Sequence, residues 1–274
     1  MHSPLKVNTG RILIKAKRAL GQNFLIDENI ARKIVNSANL SSKDIVIEIG
    51  PGQGALTKYI VENTKRLYAI EIDKRVIDIL KENFPQKNVI FINEDFLELD
   101  IQKIFEKEKR KIKLIGNIPY NITSQILFKA IDNRAYLENC TFMVQKEVAQ
   151  RIIAKSKTKD YGILSVITQY YGKPEILFKV SPNCFFPKPK VTSAVIKIDF
   201  IQTYQHKVED ELFRTLVRTA FGKRRKTLNN SLKYLPFYDE ISQRLKNFKK
   251  FSLDKRAEEL TVDDFIDFAK FISA

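Results

Sequence analysis

From Asp44 the chain alternates between two kinds of apolar pattern. Short runs rich in β-branched residues have the length and continuity of buried parallel strands: "DIVIEIG" (44–50), "RLYAIEID" (66–73), "NVIFINED" (88–95), "KIKLIGN" (111–117) and "NCTFMVQ" (139–145). Between them, apolar residues recur at helical spacing. Leu56, Tyr59 and Ile60 do so in "GALTKYIVENT", and Val76, Ile77 and Leu80 in "KRVIDILKENF". A charged helix is expected around Ile101 to Lys109, and "KEVAQRIIA" reads as the helix after the fifth strand. Strands alternating with helices predict an α/β, doubly wound sheet.

The pattern changes near Ser181. "SPNCFFPKPK" is too proline-rich for a helix interior, and "VTSAVIKIDF" alternates like a closing edge strand. After Phe200 the strand signals stop. "EDELFRTLVRTAF", "KTLNNSLKYL" and "TVDDFIDFAKFI" read as short helices, the last with Thr261 as N-cap and acids in its first turn. Two domains are expected, residues 1–202 and a small all-α domain at 203–274.

Charge narrows the function. Lys and Arg number 48 against 32 Asp and Glu, a net charge of +16 spread along the chain. Such an excess favours a polyanionic partner, nucleic acid or an anionic membrane surface. No apolar stretch approaches the length of a membrane span, and the N-terminus lacks the apolar core of a secretory signal. Cys140 and Cys184 are too few for a disulfide framework and have no zinc spacing, which points to a reducing, cytoplasmic setting and no metal. His2 and His206 lie outside every motif and read as surface residues.

The candidate chemistry lies at the carboxyl ends of the strands. "EIGPGQGALT" places Gly50, Gly52 and Gly54 between the first strand and a helix start. Their G-x-G-x-G spacing departs from the dinucleotide fingerprint and suits a ligand without phosphates. Glu71 ends the second strand, where an acid grips ribose hydroxyls, and Asp95 ends the third, where it would meet an adenine edge. A tight turn alone would carry such glycines, and a lone strand-end acid is more often simply solvated. The ordered set converges on a nucleoside-like ligand, and S-adenosylmethionine (SAM) fits.

"GNIPYNI" (116–122) follows the fourth strand in the same crevice. The Asn117 side-chain oxygen and a main-chain carbonyl beside Pro119 form a pair of acceptors for both hydrogens of an exocyclic amine. Held so, the amine lone pair is aimed at the SAM methyl, and no strong base is needed before attack. Tyr120 would stack on the base, with Phe185 as a candidate second wall, although plain packing beside a proline-rich turn explains Phe185 equally well. Enzymes acting on a base take it out of the stack first.

Taken together, "LGQNFLID" (20–27), "EIGPGQGALT" (48–57), "AIEID" (69–73), "EDFL" (94–97), "GNIPYNIT" (116–123), "FFPKPKVTSAV" (185–195) and "FGKRRKTLNNSL" (221–232) closely resemble the ribosomal RNA adenine dimethylase family, in its bacterial kasugamycin-resistance form. The resemblance covers most of the chain in family order. It implies a Rossmann-like SAM-dependent methyltransferase sheet that dimethylates two adjacent adenosines near the 3′ end of small-subunit rRNA. By motif match, Asn23, Leu25, Gly50, Glu71, Asp95 and Asn117 would contact SAM, and Gln22 and Asn23 would cover its methionine end. Gly52 belongs to the same cofactor loop. Pro119, Tyr120 and Phe185 would surround the base. Ile118 replaces the leucine of the common motif at a position where the contact would be main-chain. From the residues alone, "GQNFL" says only that two carboxamides precede a helix capped near Asp27.

Macrolide-resistance methylases share "QNF" and "NIPYNI" but act on large-subunit rRNA, and "FGKRRKTLNNSL" resembles the small-subunit type instead. Its Lys223, Arg224, Arg225 and Lys226 would bind phosphates, unless they form only a solvated turn. A non-catalytic nucleic-acid-binding factor and a dehydrogenase are the other open readings. The expected partners are the small ribosomal subunit and the 3′-terminal region of its rRNA, met by a monomer without a membrane.

Overall fold

The computed structural model describes Lys17 and residues 21–200, 208–223 and 225–273. The 202/203 boundary, Arg224, His2 and His206 lie outside the described residues. The described chain divides into two compact units. One comprises the residues up to Lys146 with Ile176–Asp199, the other Glu147–Glu175 with the residues from Phe200 onward.

The first unit begins with β1 (Phe24–Leu25) and α1 (Glu28–Ser37), followed by β2 (Ile45–Ile49) and α2 (Thr57–Ile60). Next come β3 (Arg66–Ile70), α3 (Lys74–Asn83), β4 (Val89–Ile92) and α4 (Ile101–Glu108), then β5 (Ile112–Asn117), α5 (Thr123–Asp132) and β6 (Leu137–Gln145). Aspartates start three of the helices. Asp27 accepts from the Asn29 and Ile30 N–H groups, Asp73 from Arg75 and Asp100 from Lys103. The helix predicted after the glycine loop is short, since α2 passes into a 3₁₀ turn at Val61–Asn63 and Thr64 is extended.

After α6 (Lys146–Ile153) and α7 (Ile163–Tyr171) come β7 (Gly172–Val180), β8 (Phe185–Phe186) and β9 (Ser193–Phe200). The main sheet has the order β4-β3-β2-β5-β6-β9-β7. Strands β2 to β6 pair in parallel, and β9 runs antiparallel to β6. The segment expected as a closing edge strand, β9, is therefore interior, and β7 lies outside it. The sequence of β7, "GKPEILFKV", carries two lysines and a proline, the marks of an edge strand, but neither alternates nor runs apolar.

Chain order reverses at β2, which pairs with β3 on one side and β5 on the other. At such a switch point the loops after the strands part and leave a crevice. The whole of β2 is buried, and Ala31, Ile34 and Val35 of α1 join Val46, Leu67 and Ile115 in one core cluster. Lys113 of β5 is also buried; its Nζ lies 2.9 Å from the Asp44 carboxylate.

The second unit holds α8 (Asp210–Gly222), α9 (Leu228–Leu232), α10 (Tyr238–Leu245) and α11 (Val262–Ser273). Thr261 caps α11 as expected, receiving the Asp264 N–H at 3.1 Å while its own N–H donates to the Asp264 carboxylate at 2.9 Å. Residues 147–175, comprising α6, α7 and the start of β7, group with these helices. Aromatic packing accounts for it: the Tyr170 ring stacks on Phe213 with centroids 3.8 Å apart, and Tyr161 meets Phe221 edge-on.

Candidate active site

At the carboxyl end of β2 the chain turns through Gly50, whose φ of +63° favours glycine. A Cβ there would meet nothing within 4 Å, so the missing side chain leaves open space above the loop. Gly54 is required for the opposite reason: a Cβ would come within 2.6 Å of the Phe84 ring.

Glu71 follows the last residue of β3 and is fixed by main-chain donors. The Asp73 N–H reaches one carboxylate oxygen at 3.0 Å and the Gly52 N–H the other at 3.3 Å. Burial pushes its pKa up, against the pull of those N–H groups. Asp95 lies three residues beyond the end of β4 and does not end the strand itself. One of its oxygens accepts the Leu97 N–H at 2.9 Å, which steadies the turn and leaves the other oxygen free to meet a ligand.

Glu48, inside the quoted glycine motif, was not singled out from the sequence. It is 1% exposed in β2, and the Thr57 hydroxyl donates to it at 2.7 Å. Burial, aided by the nearby Glu71 charge, pushes its pKa up to about 8. Its signal was present: a charged residue within an otherwise apolar buried strand.

Asn117 is the last residue of β5, and its Nδ2 donates to the Asn23 carbonyl at 2.8 Å. Its Oδ1 has no partner among the described residues. The Pro119 carbonyl is already committed, accepting from the Ile122 N–H at 3.2 Å and the Thr123 hydroxyl at 3.1 Å. The Ile118 N–H is held by Met143, which leaves the Ile118 carbonyl as the unpaired acceptor beside Pro119. The Tyr120 hydroxyl is 2.7 Å from the Ser193 Oγ of β9, and burial pushes its pKa up.

A cavity of about 270 Å³ joins these groups. Gln22, Asn23, Gly50 and Gly52 line it together with Glu71 and Asp95, and Asn117, Pro119 and Tyr120 form its far wall. Ile72, 51% exposed, and Phe96 supply apolar surface beside Asp95 that the sequence reading missed. Glu71, Glu94 and Asp95 are the charged lining groups; among the described residues no Lys or Arg lines it.

Two expected site residues lie elsewhere. Leu25 is buried in β1 and borders a smaller adjoining recess of about 30 Å³ instead. Phe185 does not line the cavity. It is 3% exposed and belongs to the core cluster of Leu25, Val180 and Val195, while its neighbour Phe186 is 60% exposed. Alternation along β8 explains the difference, because consecutive residues point to opposite faces and only one faces the core. Lys223, Arg225 and Lys226 are exposed after α8 in the second unit. Among the described residues no group of three His, Cys, Asp or Glu is close enough to hold a metal, and no helix is long and apolar enough to cross a membrane.

A family model described as ribosomal RNA adenine dimethylase matches residues 13–274. Ribosomal RNA small subunit methyltransferase A of Alkaliphilus oremlandii (strain OhILAs) is 44% identical over 257 residues, covering 92% of this chain and 90% of that protein. The protein of the same name from Francisella tularensis subsp. novicida (strain U112) is 43% identical over 262 residues, covering 94% and 98%. Among solved structures, a dimethyladenosine transferase from Plasmodium falciparum aligns with TM-score 0.75 and 26% identity over 89% of this chain and 94% of that one. The 23S rRNA methyltransferase ErmE aligns with TM-score 0.65 and 25% identity over 90% and 99%.

Proposed function

This chain belongs to the ribosomal RNA adenine dimethylase family, and on that premise we propose that it moves methyl groups from SAM to the exocyclic amines of two adjacent adenosines near the 3′ end of small-subunit rRNA. It does so as a cytoplasmic monomer acting on the small ribosomal subunit during its assembly. One observation carries the chemistry. Asn117 commits its donor to Asn23, so that Oδ1 and the Ile118 carbonyl remain as two acceptors beside the carboxylates of one cavity.

The lining suits SAM. Acids with no cation among the described lining residues favour a ligand of hydroxyls, amines and positive charge over a pyrophosphate, which argues against a dehydrogenase. Glu71 would accept from the ribose hydroxyls and Asp95 from the adenine amine, with Ile72 and Phe96 against the flat ring. Gly50, Gly52, Gln22 and Asn23 would hold the amino-acid end. Leu25 supports this wall from beneath. When bound, SAM supplies an electrophilic methyl group.

Asn117 Oδ1 and the Ile118 carbonyl accept the two hydrogens of the adenine amine. That geometry withdraws the lone pair from the ring and directs it outward, an interaction that strengthens as the amine becomes tetrahedral. Tyr120, fixed through Ser193, presents its face to the base, and Phe185 backs the β1–β8 strand pair. The product ammonium sheds its proton after transfer, which removes the need for a catalytic histidine. Lys223, Arg224, Arg225 and Lys226 would meet rRNA phosphates.

The test is incubation with SAM and small subunits from cells lacking the modification, followed by mass spectrometry of the digested rRNA. Dimethyladenosine near the 3′ end is expected, and its absence overturns the proposal. Methylation of unmodified large-subunit rRNA instead would make the chain a 23S rRNA methyltransferase like ErmE.

A further inference from the structure

Tyr234 stands two residues beyond α9 and is 55% exposed, although α9 itself buries Leu228, Ser231 and Leu232. Two ammonium groups attend its ring. Lys226 Nζ donates to the hydroxyl at 3.1 Å and lies 5.2 Å from the ring centroid, and Lys223 Nζ lies 5.0 Å from it. The hydrogen bond from Lys226, reinforced by both positive charges, pulls the hydroxyl pKa down. Neither lysine is paired with a carboxylate among the described residues. An exposed tyrosine alone requires no explanation. Two like charges converging on one ring without an anion do, because they repel each other until a negative group arrives.

We propose that Tyr234, Lys223 and Lys226 form a seat for one unpaired nucleotide of the rRNA. Its base lies on the open part of the Tyr234 ring, and the phosphates flanking it take the two ammonium groups. A base inside a duplex has both faces covered by its neighbours and cannot reach a flat ring. The seat therefore selects a loop, bulge or end. A free phosphate or an anionic surface would engage the lysines but gain nothing from the ring. This inference rests on RNA as the substrate and adds the form of RNA that the second unit meets.

The chain has no tryptophan, so Tyr234→Trp introduces a single fluorophore at the seat. The probes are an RNA hairpin with an unpaired loop, a blunt duplex of equal length, and inorganic polyphosphate. At equal occupancy the hairpin is expected to quench the emission strongly, and the duplex and polyphosphate weakly. Hairpin binding without quenching, or equal quenching by the duplex, overturns the proposal. Tyr234→Ala should weaken hairpin binding about tenfold while Tyr234→Phe stays within about twofold. Lys223→Gln should lower the salt slope of log K by about 0.7. An unchanged helical circular-dichroism signal and denaturation midpoint show that each variant is folded. Quenching by the hairpin without methyl transfer to small subunits by the wild type would leave the seat standing and remove the proposed function; methyl transfer without quenching would do the reverse.

Discussion

Asn117 donates its Nδ2 to the main-chain carbonyl of Asn23 at 2.8 Å, joining segments 94 residues apart. The bond fixes which end of the carboxamide faces the cavity. An aspartate could not donate it, and an alanine would leave no acceptor in place of Oδ1. Asn117→Ala is expected to lower kcat by about 100-fold or more, the cost of losing one preorganised polar contact to the reacting group. Single-turnover methylation of small subunits, with RNA affinity measured alongside, checks it. RNA affinity should change little.

Glu71 has both oxygens near main-chain N–H groups, so its carboxylate is placed before any ligand arrives. Glu71→Ala removes a fixed acceptor for hydroxyl donors. SAM affinity should fall about tenfold or more, the scale of leaving a buried donor unpaired. Calorimetric titration with SAM measures this, and an unchanged Kd would exclude Glu71 from the cofactor site.

Glu48 predicts a pH dependence of stability. Its folded pKa lies near 8 against an ordinary 4.5, so the folded chain keeps a proton that the unfolded chain releases. Its contribution to stability therefore falls as pH rises from about 4.5 to 8, approaching about 1.4 kcal/mol per pH unit, and levels off above. Glu48→Gln keeps an acceptor for Thr57 and should flatten this slope. Urea melts of both proteins across the window provide the comparison.

Lys113 and Asp44 are a buried pair 2.9 Å apart. Burial pushes the Asp44 carboxyl up, but the Lys113 ammonium and the Ser41 groups outweigh it and hold the pKa below its ordinary value. Lys113→Met leaves the carboxylate with the Ser41 N–H and the more exposed Arg110 guanidinium, 3.5 Å away, and should cost about 1–3 kcal/mol, read as a shift in the denaturation midpoint. Adding Asp44→Asn should recover much of the loss.

The five parallel strands were legible because burial on both faces forces continuous apolar runs, as in β2. β7 was not, since its lysines and Pro174 obscure both periods. The cavity acids were legible from their places after strands, which topology brings to one edge. Three features were not. Phe185 and Phe186 are adjacent and chemically identical, and only strand pairing decides which ring enters the core. Committing the Pro119 carbonyl to the following turn, and so freeing that of Ile118, depends on folded geometry. The grouping of Tyr170 with Phe213 depends on aromatic contacts that no local period announces.

The hydroxyl of Tyr120 rests on Ser193, and Phe24 pairs with Phe186. Each partner emerges from the ribosome long after the residue it steadies. A nascent chain that already holds Glu71, Asp95 and Asn117 still lacks the strand that orients Tyr120. That orientation comes late in synthesis, when β9 takes its place between β6 and β7. A chain arrested before Ser193 would carry Glu71, Asp95 and Asn117 without the partner that holds the Tyr120 hydroxyl.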